Sequence, residues 1–249
     1  MVDSNKIQAG STGKQKCVAI VLAAGQGKRM ASTVQKQYMQ LKGYPVLYYS
    51  LFAFQNSKWI DEIILVVGAG EKDYCEKELV KLYGFTKVSQ VVYGGKERYD
   101  SVWEALKCVS EDTAYVMIHD GARPLLTEQI IYDGLESVKQ YGATVAAVPS
   151  KDTIKLVNEK QTIIDTPLRK NVWSIQTPQI FTSVLVKQAY AKMLEQEHAD
   201  ITDDAMVVES YTGTTVQVYM ADYKNIKITT PEDMIVAEKF LELVDIEQY

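Results

Sequence analysis

The feature that most limits the fold is an alternation along the chain. Short, nearly unbroken apolar runs at Cys17–Leu22, Glu62–Val67, Tyr115–Ile118 and Ala143–Val148, and a strand-like Val88–Val92, are separated by longer stretches of helical spacing. A strand that is apolar at almost every position has to be covered on both faces. Parallel strands joined by crossover helices achieve this. The intervening stretches Pro45–Phe54, Glu71–Tyr83, Arg98–Val109 and Thr127–Tyr141 are therefore expected as helices. The expectation is an α/β fold with a mainly parallel, Rossmann-like sheet and helices on both faces.

The rhythm changes after Pro149. From Lys151 to Ser174 polar and β-branched residues mix without helical period, which predicts an extended β-arm rather than a core layer. Helices at Ser183–Glu195 and Asp203–Tyr211, a strand at Thr215–Tyr219 and a closing helix at Pro231–Val244 follow. Pro178 and Pro231 read as turn formers or helix starts. With no internal repeat or linker, residues 17–249 are expected to form one domain carrying an arm at about 151–174. The first sixteen residues are polar and read as a flexible tail or an expression remnant.

Composition removes several classes. An apolar content of 47% in 249 residues supplies a core. No run reaches the ~20 apolar residues of a membrane helix. A net charge of −5 argues against a broad nucleic-acid footprint. Three scattered cysteines fit reduced thiols in a cytoplasmic protein, and two histidines leave little for a histidine-based zinc site. An anionic ligand would need local cations.

Such cations follow the first strand. In Ala23-Ala24-Gly25-Gln26-Gly27-Lys28-Arg29-Met30 two glycines let backbone N–H groups approach an anion, and Lys28, Arg29 and Lys36 add charge. An isolated glycine pair usually makes only a turn. The P-loop spacing is absent, which weighs against a kinase or ATPase, and Met30 stands where a dinucleotide fingerprint needs a third small residue.

The loop is one of several motifs. In order come Lys36-Gln37-Tyr38, Gly94-Gly95, His119-Asp120-Gly121-Ala122-Arg123-Pro124, Asp152-Thr153-Ile154-Lys155, Gln176-Thr177-Pro178-Gln179, Thr202-Asp203-Asp204-Ala205 and Asn225-Ile226-Lys227-Ile228-Thr229-Thr230-Pro231. Together they resemble the 2-C-methyl-D-erythritol 4-phosphate cytidylyltransferases of the non-mevalonate isoprenoid pathway, from about Cys17 to about Leu241. The resemblance implies a nucleotidyltransferase sheet, CTP and a sugar-alcohol phosphate as substrates, Mg²⁺ as cofactor, and pyrophosphate as product. It implies that Arg29 and Lys36 are transition-state cations, with Arg169 and Lys227 also catalytic. Ala23, Ala24, Gly25, Gly27, Lys28, Gly94, Gly95 and Ser101 would hold the nucleotide. Asp120, Arg123, Thr153, Thr177 and Thr202 would lie on the sugar-phosphate side. No direct metal ligand is implied, and Asp120 is a candidate for a water-mediated link to Mg²⁺. Thr153 and Arg169 would reach a partner subunit's site in a homodimer with exchanged arms.

Plainer roles compete for some of these residues. Asp120 before Gly121 suits a turn, Thr202 suits a helix cap, and Lys227 in a strand beside Thr229 suits a solvated face. Lys96 follows Gly95 where many relatives carry Asp, and Gln35 precedes Lys36 where Pro is usual. A ribitol 5-phosphate cytidylyltransferase is the closest rival. A CTP-binding sensor without turnover is the rival from another class, and Arg29, Lys36 and Lys227 argue against it.

Overall fold

The computed structural model describes residues 15–25, 35–196 and 200–243. Within it β1 (Lys16–Ala23) shows why the apolar runs are unbroken. Its alternate side chains enter different cores, Cys17, Ala19 and Val21 on one face of the sheet and Val18 and Ile20 on the other. All are fully buried, and each large aliphatic side chain so placed contributes about 1.5–3 kcal/mol relative to exposure. β1 pairs in parallel with β4 (Glu62–Val67) and β6 (Thr113–Asp120), and β4 pairs in parallel with β5 (Val88–Tyr93). At the other side β7 (Ala143–Pro149) pairs in parallel with β11 (Gln217–Met220). The strand order is β11-β7-β10-β6-β1-β4-β5, where β10 (Trp173–Thr182) runs antiparallel to both its neighbours.

Helices α1 (Val46–Asn56), α4 (Glu128–Tyr141) and α7 (Pro231–Leu243) cover the first face. Helices α3 (Arg98–Leu106), α5 (Ser183–Leu194) and α6 (Asp204–Thr212) cover the second. Local signals place their ends. Thr127 Oγ1 accepts the Ile130 N–H at 3.3 Å, and α4 stops at Gly142, whose φ of +78° suits glycine. A small hairpin of β2 (Gln40–Leu41) and β3 (Tyr44–Pro45) turns at Lys42 and Gly43, both with positive φ, as a tight two-residue connection requires. Helix α2 (Lys72–Tyr74) continues as a π-helical stretch, Cys75–Lys81. Among the described residues no helix is long and apolar enough to cross a membrane.

Between β7 and β10 the chain leaves the sheet. Strands β8 (Leu156–Val157) and β9 (Ile163–Asp165) form a separate antiparallel pair whose residues are all exposed. The arm is therefore present and extended, although Trp173 and Ser174 already belong to β10.

Three local readings need correction. Pro178 starts neither a turn nor a helix; it sits inside β10, after a cis Thr177–Pro178 peptide. The ladder to β7 shifts register between Ile175 and Gln179, so a residue lacking an N–H falls where the pairing is interrupted. Lys227 is not in a strand: residues 221–230 form an irregular loop, held where the Ile228 N–H donates to the Ala122 carbonyl at 2.8 Å. The cap of α6 is Asp203, which accepts the Met206 N–H at 2.9 Å, and not Thr202.

Candidate active site

The carboxyl ends of parallel strands are where open α/β sheets bind ligands. Here β1 and β6 end in register, with Leu22 beside Asp120, and Gly94 after β5 donates its N–H to Val67 at the end of β4. These ends border a cleft of about 570 Å³. Ala23, Ala24, Gly25 and Lys36 line it from the β1 side, Gly95 and Ser101 from the β5 side, and Asp120 and Lys227 from the centre.

The β5 side is built for close backbone approach. A Cβ on Gly94 would lie 2.6 Å from both Ala24 Cβ and Ser101 Oγ, and one on Gly95 would collide with Asp100. Ser101 is buried, accepts the Gly95 N–H at 3.2 Å and donates to the Glu97 carbonyl at 3.1 Å. Glu97 and Asp100 close a capping box at the start of α3.

Asp120 is the electrostatic centre. Its Oδ2 lies 2.8 Å from Lys227 Nζ and 3.7 Å from Arg123 Nε, and its Oδ1 lies 3.5 Å from Arg98 Nε. Burial alone would raise the carboxyl's pKa, but Lys227, Arg98 and Arg123 together hold it well below the usual carboxylate range. Behind it the Asp120 N–H donates to Thr177 Oγ1 at 3.0 Å, and that hydroxyl lies 3.0 Å from His119 Nδ1. Burial pushes His119 down to about 4; Arg123 adds to the shift and Asp120 opposes it. A neutral ring whose Nε2–H donates to the Arg123 carbonyl at 3.3 Å leaves Nδ1 to accept from Thr177. Arg123 itself reaches the Asn225 carbonyl at 2.7 Å, tying this centre to the loop that carries Lys227.

A larger hollow of about 850 Å³ lies between α1 and α4 around Trp59 and Tyr132. It shares no lining residue with the cleft and has no comparable acid–cation cluster, so size alone does not mark the site.

Known proteins decide the family. The sequence profile of the 2-C-methyl-D-erythritol 4-phosphate cytidylyltransferases matches residues 17–243. The chain belongs to that family. A protein of that name from Lachnospira eligens is 51% identical over 224 residues, 90% of this chain and 98% of the relative. One from Alkaliphilus oremlandii is 49% identical over 226 residues, 91% and 95% of the two chains. Among solved structures, 4-diphosphocytidyl-2C-methyl-D-erythritol synthase from Anaerococcus prevotii superposes with a TM-score of 0.81 at 34% identity, covering 92% of this chain and 97% of that one.

For a member of this family, the structure gathers some expected residues and separates others. Ala23, Ala24, Gly25, Lys36, Gly95, Ser101, Asp120 and Lys227 meet in the cleft. Gly94 packs behind its floor, and Arg123 reaches it through Asp120. Gly27, Lys28 and Arg29 lie outside the described residues. Thr177 is buried behind Asp120, and Thr202 is exposed and outside the cleft lining. Thr153 and Arg169 meet on the arm, with Arg169 Nη2 donating to Thr153 Oγ1 at 2.7 Å, and neither lines the cleft.

Sequence reasoning passed over Arg98. Its guanidinium grips Asp204 with two bonds of 2.8 Å while facing Asp120, and the Tyr190 hydroxyl donates to the same fully buried Asp204. In the sequence Arg98 reads as an ordinary first-turn residue of an amphipathic helix. The available signal was its place three residues after a Gly-Gly turn that opens on the cleft.

Proposed function

We propose that the enzyme transfers CMP from CTP to 2-C-methyl-D-erythritol 4-phosphate and releases pyrophosphate. The observation that carries the reading is one cleft with two unlike ends. A crowded glycine floor with a buried hydroxyl suits a flat base, and the Asp120–Lys227 centre beside Lys36 suits phosphate. A phosphate oxygen of the acceptor forms a bond to the α-phosphorus of CTP, and the bond from that phosphorus to the bridging oxygen of the leaving group breaks. The acceptor monoester is already anionic near neutral pH, so positioning and charge neutralisation are the protein's main tasks.

On this reading Lys36, with Arg29, neutralises the departing pyrophosphate. Lys227 is held ready by Asp120 and turns to the acceptor phosphate. Among the described residues no three His, Cys, Asp or Glu side chains gather as a metal site. Two carboxylates line the cleft: Glu97, which caps α3, and Asp120, which is paired with Lys227, Arg98 and Arg123. Mg²⁺ would then be held mainly by the nucleotide, and Asp120 would reach it through water. When bound, the ion withdraws charge from the triphosphate. The reading includes a cytoplasmic homodimer in which each arm, with Thr153 and Arg169, completes the other subunit's site. In support, Leu156, Ile163, Ile164 and Leu168 all expose apolar surface on the arm.

Pyrophosphate release is the test. It should require CTP, Mg²⁺ and methylerythritol phosphate together. Preference for ribitol 5-phosphate, or equal use of CTP and UTP, would overturn the substrate assignment.

A further inference from the structure

Lys36 belongs to a short 3-10 turn, Lys36–Tyr38, that is pinned on both sides. On one side the Tyr38 hydroxyl donates to Glu71 Oε2 at 2.7 Å, and the same oxygen accepts the Gly68 N–H at 3.0 Å. On the other side is Gln37, only 2% exposed. Its Nε2 donates to the carbonyls of Ala23 at 2.6 Å and Gly25 at 3.2 Å, and also meets the Gln35 side-chain oxygen. An amide buried against the end of β1 thus bridges the turn holding Lys36 to the backbone that borders the cleft.

We propose that Gln37 is a positioning residue for nucleotide transfer, fixing the Ala23–Gly25 backbone and Lys36 relative to each other. The inference rests on the reading above. A trans peptide is planar, with its N–H antiparallel to its C=O. Holding the Ala23 carbonyl therefore also sets the direction of the Ala24 N–H, and Ala24 lines the cleft. A carboxamide suits this place because one neutral nitrogen brings two protons to several oxygens. A carboxylate would bring none and would face those oxygens with a negative charge. An apolar side chain of the same size would fill the space and leave both carbonyls unheld. The bridge crosses directly from the Lys36–Tyr38 turn to the end of β1. Its loss would let the cation and the amide drift apart by the fraction of an ångström that phosphoryl transfer does not tolerate.

The isosteric Gln37→Glu variant makes the idea testable through pH. Burial among carbonyl oxygens raises that carboxyl's pKa, so at low pH it is neutral and still donates, and as pH rises it loses its only proton. The kcat for pyrophosphate release, per folded molecule, should lie within about threefold of the parent near about pH 5.5. It should fall by about 10²-fold near about pH 8.5. Gln37→Met should show a similar loss at every pH. A side chain that only fills space would give Gln37→Glu the parent's pH profile of kcat per folded molecule, and Gln37→Met a kcat close to the parent's. Either result overturns the proposal, and the Met variant decides it alone if the Glu variant unfolds above neutrality. If the parent binds CTP but releases no pyrophosphate, the substrate reading fails, and the pH dependence of CTP affinity in the two variants still tests Gln37.

Discussion

The cleft centre and the arm are opposite ways of placing an arginine. Arg98 is locked by two bonds to a fully buried Asp204 and faces Asp120, so its position is fixed by its own chain. Arg169 sits on an exposed 3-10 turn, donating to Thr153, after a ribbon whose strand residues are all exposed. The first arrangement is preorganised and its removal should damage the fold. The second is cheap to alter in the monomer, and its value has to come from something outside it. Stability measurements on the two regions can break or sharpen this contrast.

The largest effect is expected at Arg98. Arg98→Ala leaves Asp204 buried beside Tyr190 without a countercharge, which should cost about 3–5 kcal/mol in denaturant unfolding. Arg98→Lys keeps the charge but loses the planar fork and should recover only part of that. A loss below about 1 kcal/mol for the Ala variant would mean that the centre is no more rigid than a surface ion pair.

The next effect is a pH dependence centred on His119. Its folded pKa, about 4, lies below the ordinary unfolded value of about 6.5, because burial disfavours the charged ring. The stabilising contribution is complete above the unfolded value and is lost as pH falls through that value toward the folded one. Between neutrality and about pH 5 the native state should lose about 2 kcal/mol on this account. Unfolding of the parent and of His119→Gln, compared at both pH values, should show this slope only in the parent. Equal slopes would place a charged ring in the fold and undo the hydrogen-bond assignment with Thr177.

These residues also show where sequence reading ends. The apolar runs announced β1, β4, β6 and β7, since burial on both faces leaves a mark at nearly every position; the edge strands β5 and β11 are partly exposed and less marked. β10 left no such mark. Its first six residues run Trp173-Ser174-Ile175-Gln176-Thr177-Pro178, and a proline inside a central strand argues locally against the strand that tertiary pairing creates. In the site, Ala23, Ala24, Gly25, Gly95 and Asp120 were expected from short motifs, and the structure brings them around one cleft. Arg98 and Asp204 are 106 positions apart, and Gln37 acts on carbonyls more than ten residues away, so neither connection has a short-range signature. Thr202 shows the converse: a good capping residue was displaced by its neighbour Asp203, one position closer to the helix.

The smallest effect on stability is expected at the arm, where it is most informative. Arg169 is exposed, and replacing it with Ala should change monomer unfolding by no more than about 0.5 kcal/mol. Activity should nevertheless collapse if Arg169 serves a partner's cleft, since a guanidinium offers a phosphate a two-pronged contact that nothing else on the arm supplies. Lys36→Ala should lose about 10²–10³-fold in kcat through its own cleft. Mixing the two variants then separates contributions in trans from those in cis. In a heterodimer with exchanged arms, one cleft carries both lesions and the other carries neither, so up to half of the parent activity per heterodimer should return. If Arg169 acts on its own chain, every cleft keeps one lesion and none returns. Fluorescently labelled subunits would report exchange independently, and exchange without recovered activity would assign the arm to its own subunit. Recovery would mean that the loosely held arginine completes a cleft whose remaining cations are fixed in advance.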